Sequence, residues 1–286
     1  MQTKYEKYEQ LGTETLQGLM RTQETWTSFL ATSSRMYKYT FDEQVLIHAQ
    51  RPDTRACADF AFWTARDRMN RHLKAGTEEI SLVDPENHKL NYVYAVEDTE
   101  PRRNGTSRDP EKYIWKLESS KASGINDLLC RSGRIQSSDI AETVVKMAYA
   151  AARQSIAQYD EEFAMLYAKN APDVPSEILR AQIAETMAES AAYMALLRCG
   201  LEDAAAERSF PHLGNFNTDF TSLIGKGTGD IARTVLRTVE RTVHEYNRQE
   251  RMNQHEQQLT QGEIQERNPL HSGRGNTDVS AGLRGD

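Results

Sequence analysis

Cysteine is scarce in this 286-residue chain, and its three copies, Cys57, Cys130 and Cys199, stand far apart. That spacing builds neither a disulfide framework nor a zinc knuckle, so each is expected to be a small buried hydrophobe. Long apolar runs are missing too. None approaches the roughly 20 residues that span a bilayer, so no membrane partner is expected. The opening MQTKYEKYEQLGTETLQ is polar and charged, without the apolar stretch of a signal peptide, and the default expectation is a cytoplasmic protein. Net positive charge is also lacking. At −7 the chain as a whole argues against a nucleic-acid binder.

Catalytic signatures are equally thin. HEQQL (255–259) is half of a zinc-protease helix motif, but Leu259 stands where the second histidine belongs. One histidine cannot fix a tetrahedral metal. IGKGTGD (224–230) imitates a phosphate loop, yet Gly227 follows Lys226 where Ser or Thr is required. Phe220 occupies the position of the first glycine, and the segment reads as a flexible helix-entry loop. The seven histidines are scattered, and no Gly-x-Ser-x-Gly elbow occurs. No catalytic residue, metal site or cofactor is therefore expected, and the chain reads as a non-enzyme.

What is present is a hydrophobic content of 38% with a mean hydropathy of −0.71, which suits a real core under a generous polar surface. Charge is uneven. Between Arg35 and Lys74 there are eight Lys/Arg against five Asp/Glu, a local +3, whereas Asp139 to Arg208 carries six against twelve, a local −6.

Apolar residues at three- and four-residue steps predict a helix over 12–32, and a second opens at Asp42 and stops before Pro52. Asp53 or Thr54 is placed to cap a third over 56–64. The pattern then alternates: 79–83 and 90–96 read as strands joined by an Asp84-Pro85-Glu86-Asn87 turn, and 113–117 as a further strand. The rest is helical. Ser137 or Ser138 caps a helix from 139 to 168, Pro175-Ser176 opens one that ends at Gly200, and another begins near Asp230. The expected fold class is α+β. An N-terminal module of helices and β-hairpin over 1–120 precedes an acidic helical domain over 121–260, and 261–286 has too little apolar content to be ordered.

Within the basic stretch, Arg35, Tyr37, Lys38, Tyr39 and Phe41 precede the second helix and Gln50 and Arg51 end it. Trp63, Arg66, Arg68, Arg71, His72 and Lys74 follow the third. Single-stranded nucleic acid takes such a mixture, because bases stack on rings while cations follow phosphates. On composition alone, however, Phe41, Phe60, Phe62 and Trp63 read as core and the arginines as a solvated face.

A resemblance changes that balance. Trp26, Phe29 and Leu30; Tyr39-Thr40-Phe41 with Gln44, Leu46 and Ile47; Gln50-Arg51-Pro52-Asp53-Thr54; and Trp63, Arg71, Lys74, Gly76, Ile80 and Leu82 together resemble the N-terminal single-stranded-DNA-binding domain of the ArdC antirestriction proteins. The version most similar lies near the N-terminus of very large proteins on gut bacterial conjugative elements, ahead of methylase or helicase domains. YVYAVEDT (92–99), Leu197-Arg198-Cys199-Gly200-Leu201, Phe216-Asn217-Thr218 and VLRTVERTV (235–243) extend the likeness over roughly residues 20 to 250. Ala65-Arg66-Asp67-Arg68 departs from the family's Gly-Arg, and the metallopeptidase, methylase and helicase parts are absent.

The resemblance implies an α+β fold and a partner, single-stranded DNA, in the service of protecting or processing an incoming mobile element. The residues expected at the DNA are Lys38, Tyr39, Gln44, Gln50, Arg51, Trp63, Arg68, Arg71, His72 and Lys74. Phe41, Leu46, Ile47 and Phe60 are expected in the core. The alternative is a protein partner: the acidic helical half would occupy the basic channel of a host defence nuclease and inhibit it.

Overall fold

A computed structural model describes residues 2–103 and 105–266. The fold is α+β, with N-terminal helices and a small sheet followed by a long helical segment. Each early helix opens on a threonine. Thr3 caps α1 (Lys4–Leu19), Thr22 caps α2 (Gln23–Arg35) and Thr40 caps α3 (Phe41–Gln50). In each case the hydroxyl accepts from the backbone N–H three residues on, while the side chain there accepts from the cap's own N–H. The cap at Thr22 divides what periodicity alone reads as one helix over 12–32.

The helix expected over 56–64 is instead a strand and one helical turn. β1 (Cys57–Asp59) ends on a carboxylate that accepts from the Phe62 N–H at 2.6 Å and starts α4 (Phe60–Thr64). The cap is thus Asp59 rather than Asp53 or Thr54. After β2 (Arg71–Leu73) come the two anticipated strands, β3 (Ile80–Asp84) and β4 (Lys89–Ala95). The Asp84 carboxylate closes their turn by accepting from the N–H groups of Glu86 and Asn87. β5 (Thr99–Pro101) pairs with β2, and the larger antiparallel sheet has the order β1-β4-β3. Residues 113–117 form no strand.

The sheet turns Ile80, Leu82, Val93 and Ala95 toward Met36, Leu46 and Ile47, making one apolar cluster. Trp63, Met69 and Val96 make a second, against Ala56, Ala58, Phe62 and Tyr94. Phe41, Leu46 and Ile47 are buried as expected. Phe60 is not: it is 55% exposed, its ring set edge-on to Tyr94 with centroids 6.2 Å apart.

The helical segment comprises α5 (Ala122–Gly133), α6 (Ile140–Ser155), α7 (Asp160–Asn170), α8 (Ser176–Arg198), α9 (Glu202–Ala206) and α10 (Thr218–Glu266). Asp139, not a serine, caps α6, and a 3-10 turn at Ile156–Tyr159 breaks the helix expected over 139–168. α8 opens at Ser176 as expected, and Gly200 at φ 73° follows its end. α10 starts well ahead of Asp230 and absorbs IGKGTGD, which is helix interior and not a loop. The glycines there serve close approach. A Cβ on Gly225 would lie 2.0 Å from the Phe41 ring, and one on Gly227 2.6 Å from the Met187 sulfur.

The described residues up to Val243 form one compact unit, and those from His244 onward belong to a second. In the first, the Trp26 indole donates to Ser190 Oγ at 2.9 Å, spanning the position between 120 and 121 where two domains were expected to meet. In the second, the helix runs on to Glu266 with Met252 and Leu259 exposed. The remainder of the expected tail, 267–286, lies outside the described residues. Among the described residues no helix is long and apolar enough to cross a membrane.

Candidate functional site

Two short segments of the same character, RMYKY (35–39) and KYIWK (112–116), face each other across a cleft in the first unit. Each interleaves rings with cations, and of the rings Tyr113 is exposed and Tyr39 half-buried while Tyr37 and Trp115 are buried. The first is the link between α2 and α3. Its shape is imposed from behind: the Gln44 amide donates to the carbonyls of Met36 and Tyr39, both at 3.1 Å. The Arg233 guanidinium donates to the Tyr37 and Tyr39 carbonyls at 3.2 and 2.9 Å. With its carbonyls held, the link turns Tyr37, Lys38 and Tyr39 into the cleft.

The second segment leaves a turn at buried Pro110. Trp115 is buried, and its indole N–H donates to the Tyr37 phenol oxygen at 3.1 Å. Arg198, at the end of α8, lies over the Trp115 ring at 3.9 Å and donates to the Trp115 carbonyl at 2.8 Å. Tyr113 is 55% exposed at the rim.

The cleft has two adjoining compartments of about 380 and 390 Å³. The first is lined by five cations, Arg35, Lys38, Arg55, Lys116 and Arg198, against two carboxylates, Glu111 and Glu240. Lys38 pairs with Glu240 at 2.9 Å, Lys116 with Glu111 at 3.1 Å, and Arg55 with both Glu97 and Glu111. The second is mostly apolar and aromatic, with Tyr39, Cys57, Ala58, Phe62, Trp63, Met69 and Tyr113 among its walls. Lys38, Tyr39, Ala56, Cys57, Tyr113 and Ile114 belong to both.

Burial dominates the proton chemistry. It drives the Tyr37 phenol far above its ordinary range, helped by the hydrogen bond to Glu240, and it does the same to Tyr39. The Cys57 thiol is pushed up to about 11, again by burial. It therefore stays protonated near neutrality and is a poor nucleophile. Among the described residues no three His, Cys, Asp or Glu side chains stand together to hold a metal ion.

Of the residues expected at the DNA, Lys38, Tyr39 and Trp63 reach the cleft. Trp63 does so as a buried wall, 2% exposed, with its indole N–H on the Tyr94 carbonyl. Its placement on the surface is therefore corrected: the turn of α4 points it inward beside Met69 and Val96. Gln44 is corrected likewise, since it is 1% exposed and spends its amide on the loop beneath the site. Gln50 ties α3 to β3 through both the carbonyl and the N–H of Ser81, each at 2.9 Å. Arg51 pairs with Asp98 at 3.4 Å, and with Gln50 it lines a separate pocket of about 200 Å³.

The remaining four lie elsewhere. Arg68 is exposed outside the cleft lining. The Arg71 guanidinium donates to the hydroxyl and carbonyl oxygens of Thr99, at 2.8 and 3.0 Å, and so fastens β2 to β5. His72 Nε2 lies 2.8 Å from Glu100, and Lys74 donates to the Glu97 carbonyl at 2.6 Å. Lining the cleft but outside the expected set are Arg35, Tyr37, Arg55, Phe62, Tyr113, Trp115, Lys116 and Arg198. The ring–cation alternation of 112–116 is a signal that was there to be read, whereas nothing local marks Arg198.

Comparison with family models, with curated proteins and with solved structures found no match.

Proposed function

We propose that this chain binds single-stranded DNA in the cleft between 35–39 and 112–116, without catalysing a reaction, and that it serves an element opposing restriction. The observation that carries the reading is the cleft lining, in which a compartment with five cations adjoins an aromatic one, six rings (Tyr37, Tyr39, Phe62, Trp63, Tyr113 and Trp115) being shared between them. Compartments of this size belong to the class that admits a nucleotide-sized group rather than a double helix. Stacking on a ring contributes about 1–3 kcal/mol per base and discriminates little between bases. The in-chain ion pairs at the rim are exposed and worth about 0–1 kcal/mol each, so phosphates can replace their carboxylate partners at small cost. The antirestriction role rests on the ArdC resemblance of the sequence alone.

The rival reading, inhibition of a nuclease by acidic helices, draws less support. Asp160 pairs with Arg180, Glu162 with Lys226 and Glu189 with Arg208, so part of that acidity is engaged within the chain. Fluorescence anisotropy of a labelled oligonucleotide at low salt tests the proposal. Saturable binding that weakens steeply as salt rises is expected, with duplex DNA a poor competitor. Absence of binding at low salt, where the electrostatic attraction is largest, overturns it.

A further inference from the structure

Arg198 and Arg35 are half-buried guanidiniums with no carboxylate at ion-pair distance among the described residues. Arg198 is held by the Trp115 ring and carbonyl, and Arg35 by the Thr54 and Pro52 carbonyls at 2.8 and 2.5 Å. A permanently charged group withdrawn from water is costly unless an anion compensates it, and carbonyl dipoles do so only in part. Both side chains line the first compartment. Burial depresses the proton affinity of each and outweighs the opposing pull of the carboxylates farther off, Asp53 and Glu97 for Arg35 and Glu240 for Arg198.

The second compartment has the opposite character. Of its three polar ring groups, two are already committed, Tyr39 to the Cys57 carbonyl and Trp63 to the Tyr94 carbonyl, both at 2.9 Å, and the third, the Tyr113 phenol, belongs to an exposed residue at the rim. Inside that rim the aromatic walls offer apolar surface with no uncommitted side-chain donor or acceptor to read a base edge. It opens directly into the cationic compartment, with Tyr113 at the shared rim.

Resting on the reading above, we propose that the cleft engages the strand by insertion: one unstacked base enters the apolar compartment while an adjoining phosphate seats on Arg198 and Arg35. Insertion of this kind explains tolerance of sequence, since any base supplies a π-face. It also excludes duplex, because a paired base cannot enter without leaving its stack.

Ala58 lines only the apolar compartment, so Ala58→Leu fills it without altering charge. With a labelled oligothymidylate, A58L is expected to weaken binding about tenfold with the salt slope unchanged. Tyr113→Ala, at an exposed position that does not carry the fold, is expected to weaken it similarly. Arg198→Gln is expected to lower the slope by about one, and Arg198→Lys to restore it. Melting curves establish that each variant is folded. Wild-type binding with A58L, Y113A and R198Q all equal to wild type overturns insertion while leaving strand binding intact. Failure of the wild type to bind overturns both. Thymidine monophosphate competing at the same concentration as the oligonucleotide assigns the cleft to free nucleotides and overturns the strand proposal.

Discussion

The Tyr37 phenol donates a 2.6 Å hydrogen bond to Glu240, joining the α2–α3 link to α10 across 203 positions of sequence. The same carboxylate holds Lys38 at 2.9 Å, so one acidic group both shapes the cleft and occupies one of its cations. Glu240→Gln keeps an acceptor for Tyr37 and removes the negative charge. If phosphates enter this cleft, the variant should bind single-stranded DNA several-fold more tightly at low salt, with a steeper salt dependence as Lys38 is released. Weaker binding by a folded E240Q variant would place the strand elsewhere.

Alkaline conditions should unfold the protein through its tyrosines. Burial, with hydrogen bonds to Glu240 and Asp230, raises the phenols of Tyr37 and Tyr159 far above 10.0, and burial raises Tyr39 as well. A group raised in the fold stabilises it fully below the unfolded value and loses that contribution as pH climbs toward the folded one. The melting temperature is accordingly expected to be flat with respect to these groups below pH 10 and to fall above it. Tyrosinate absorbance should lag behind the twelve tyrosines of the chain until the transition occurs. Full ionisation of a still-folded protein near pH 10 contradicts this.

Three glycines of α10 should answer differently to alanine. Glycine inside a helix costs about 1 kcal/mol relative to alanine. At Gly229 a Cβ meets nothing within 4 Å, so Gly229→Ala should raise stability by about that amount. At Gly225 the Cβ would sit 2.0 Å from a buried aromatic ring, and Gly225→Ala should lower stability by about 1–3 kcal/mol. Gly227→Ala should fall between, because the atoms it meets are the flexible end of Met187. Denaturant titrations rank the three, and equal effects would deny the close approach.

Trp63 and Arg71 should behave as structural residues. Trp63→Ala is expected to cost about 3–5 kcal/mol through the cavity it leaves. Arg71→Ala should cost about 1–3 kcal/mol through the lost Thr99 bonds and leave the salt slope of DNA binding unchanged. Lys116→Ala, by contrast, should lower the slope by about one without a change in melting. A reduced slope in R71A would move the interface toward β2.

Much of the fold was legible where chemistry is local. The second helix opens at Phe41, one residue from the expected Asp42, Pro175-Ser176 marks another start, and the alternation around Asp84-Pro85 marks a hairpin. What was hidden depends on distant partners. Gly225 and Gly227 read as a loop until Phe41 and Met187 are seen against them. β2 and β5 are three residues each and exist only through their pairing. Residue type alone put Trp63 in the core, where it lies, and the resemblance moved it and Gln44 to the surface, where neither is; Phe60 reads as core by either route and is exposed. At the site, the RMYKY segment was recognisable, but neither its companion at 112–116 nor Arg198 could be joined to it without the packing of α8 and α10.

Photocrosslinking tests most directly whether the strand lies in this cleft. An oligonucleotide carrying 5-bromodeoxyuridine at each position in turn would be irradiated with the full chain, and the modified residues read by mass spectrometry. Crosslinks concentrated at 35–39, 58–63 and 110–116, with Tyr113 foremost, are the predicted result. Crosslinks confined to the β2–β5 ladder or to the acidic helices α6, α7 and α8, with none at the cleft, would contradict it.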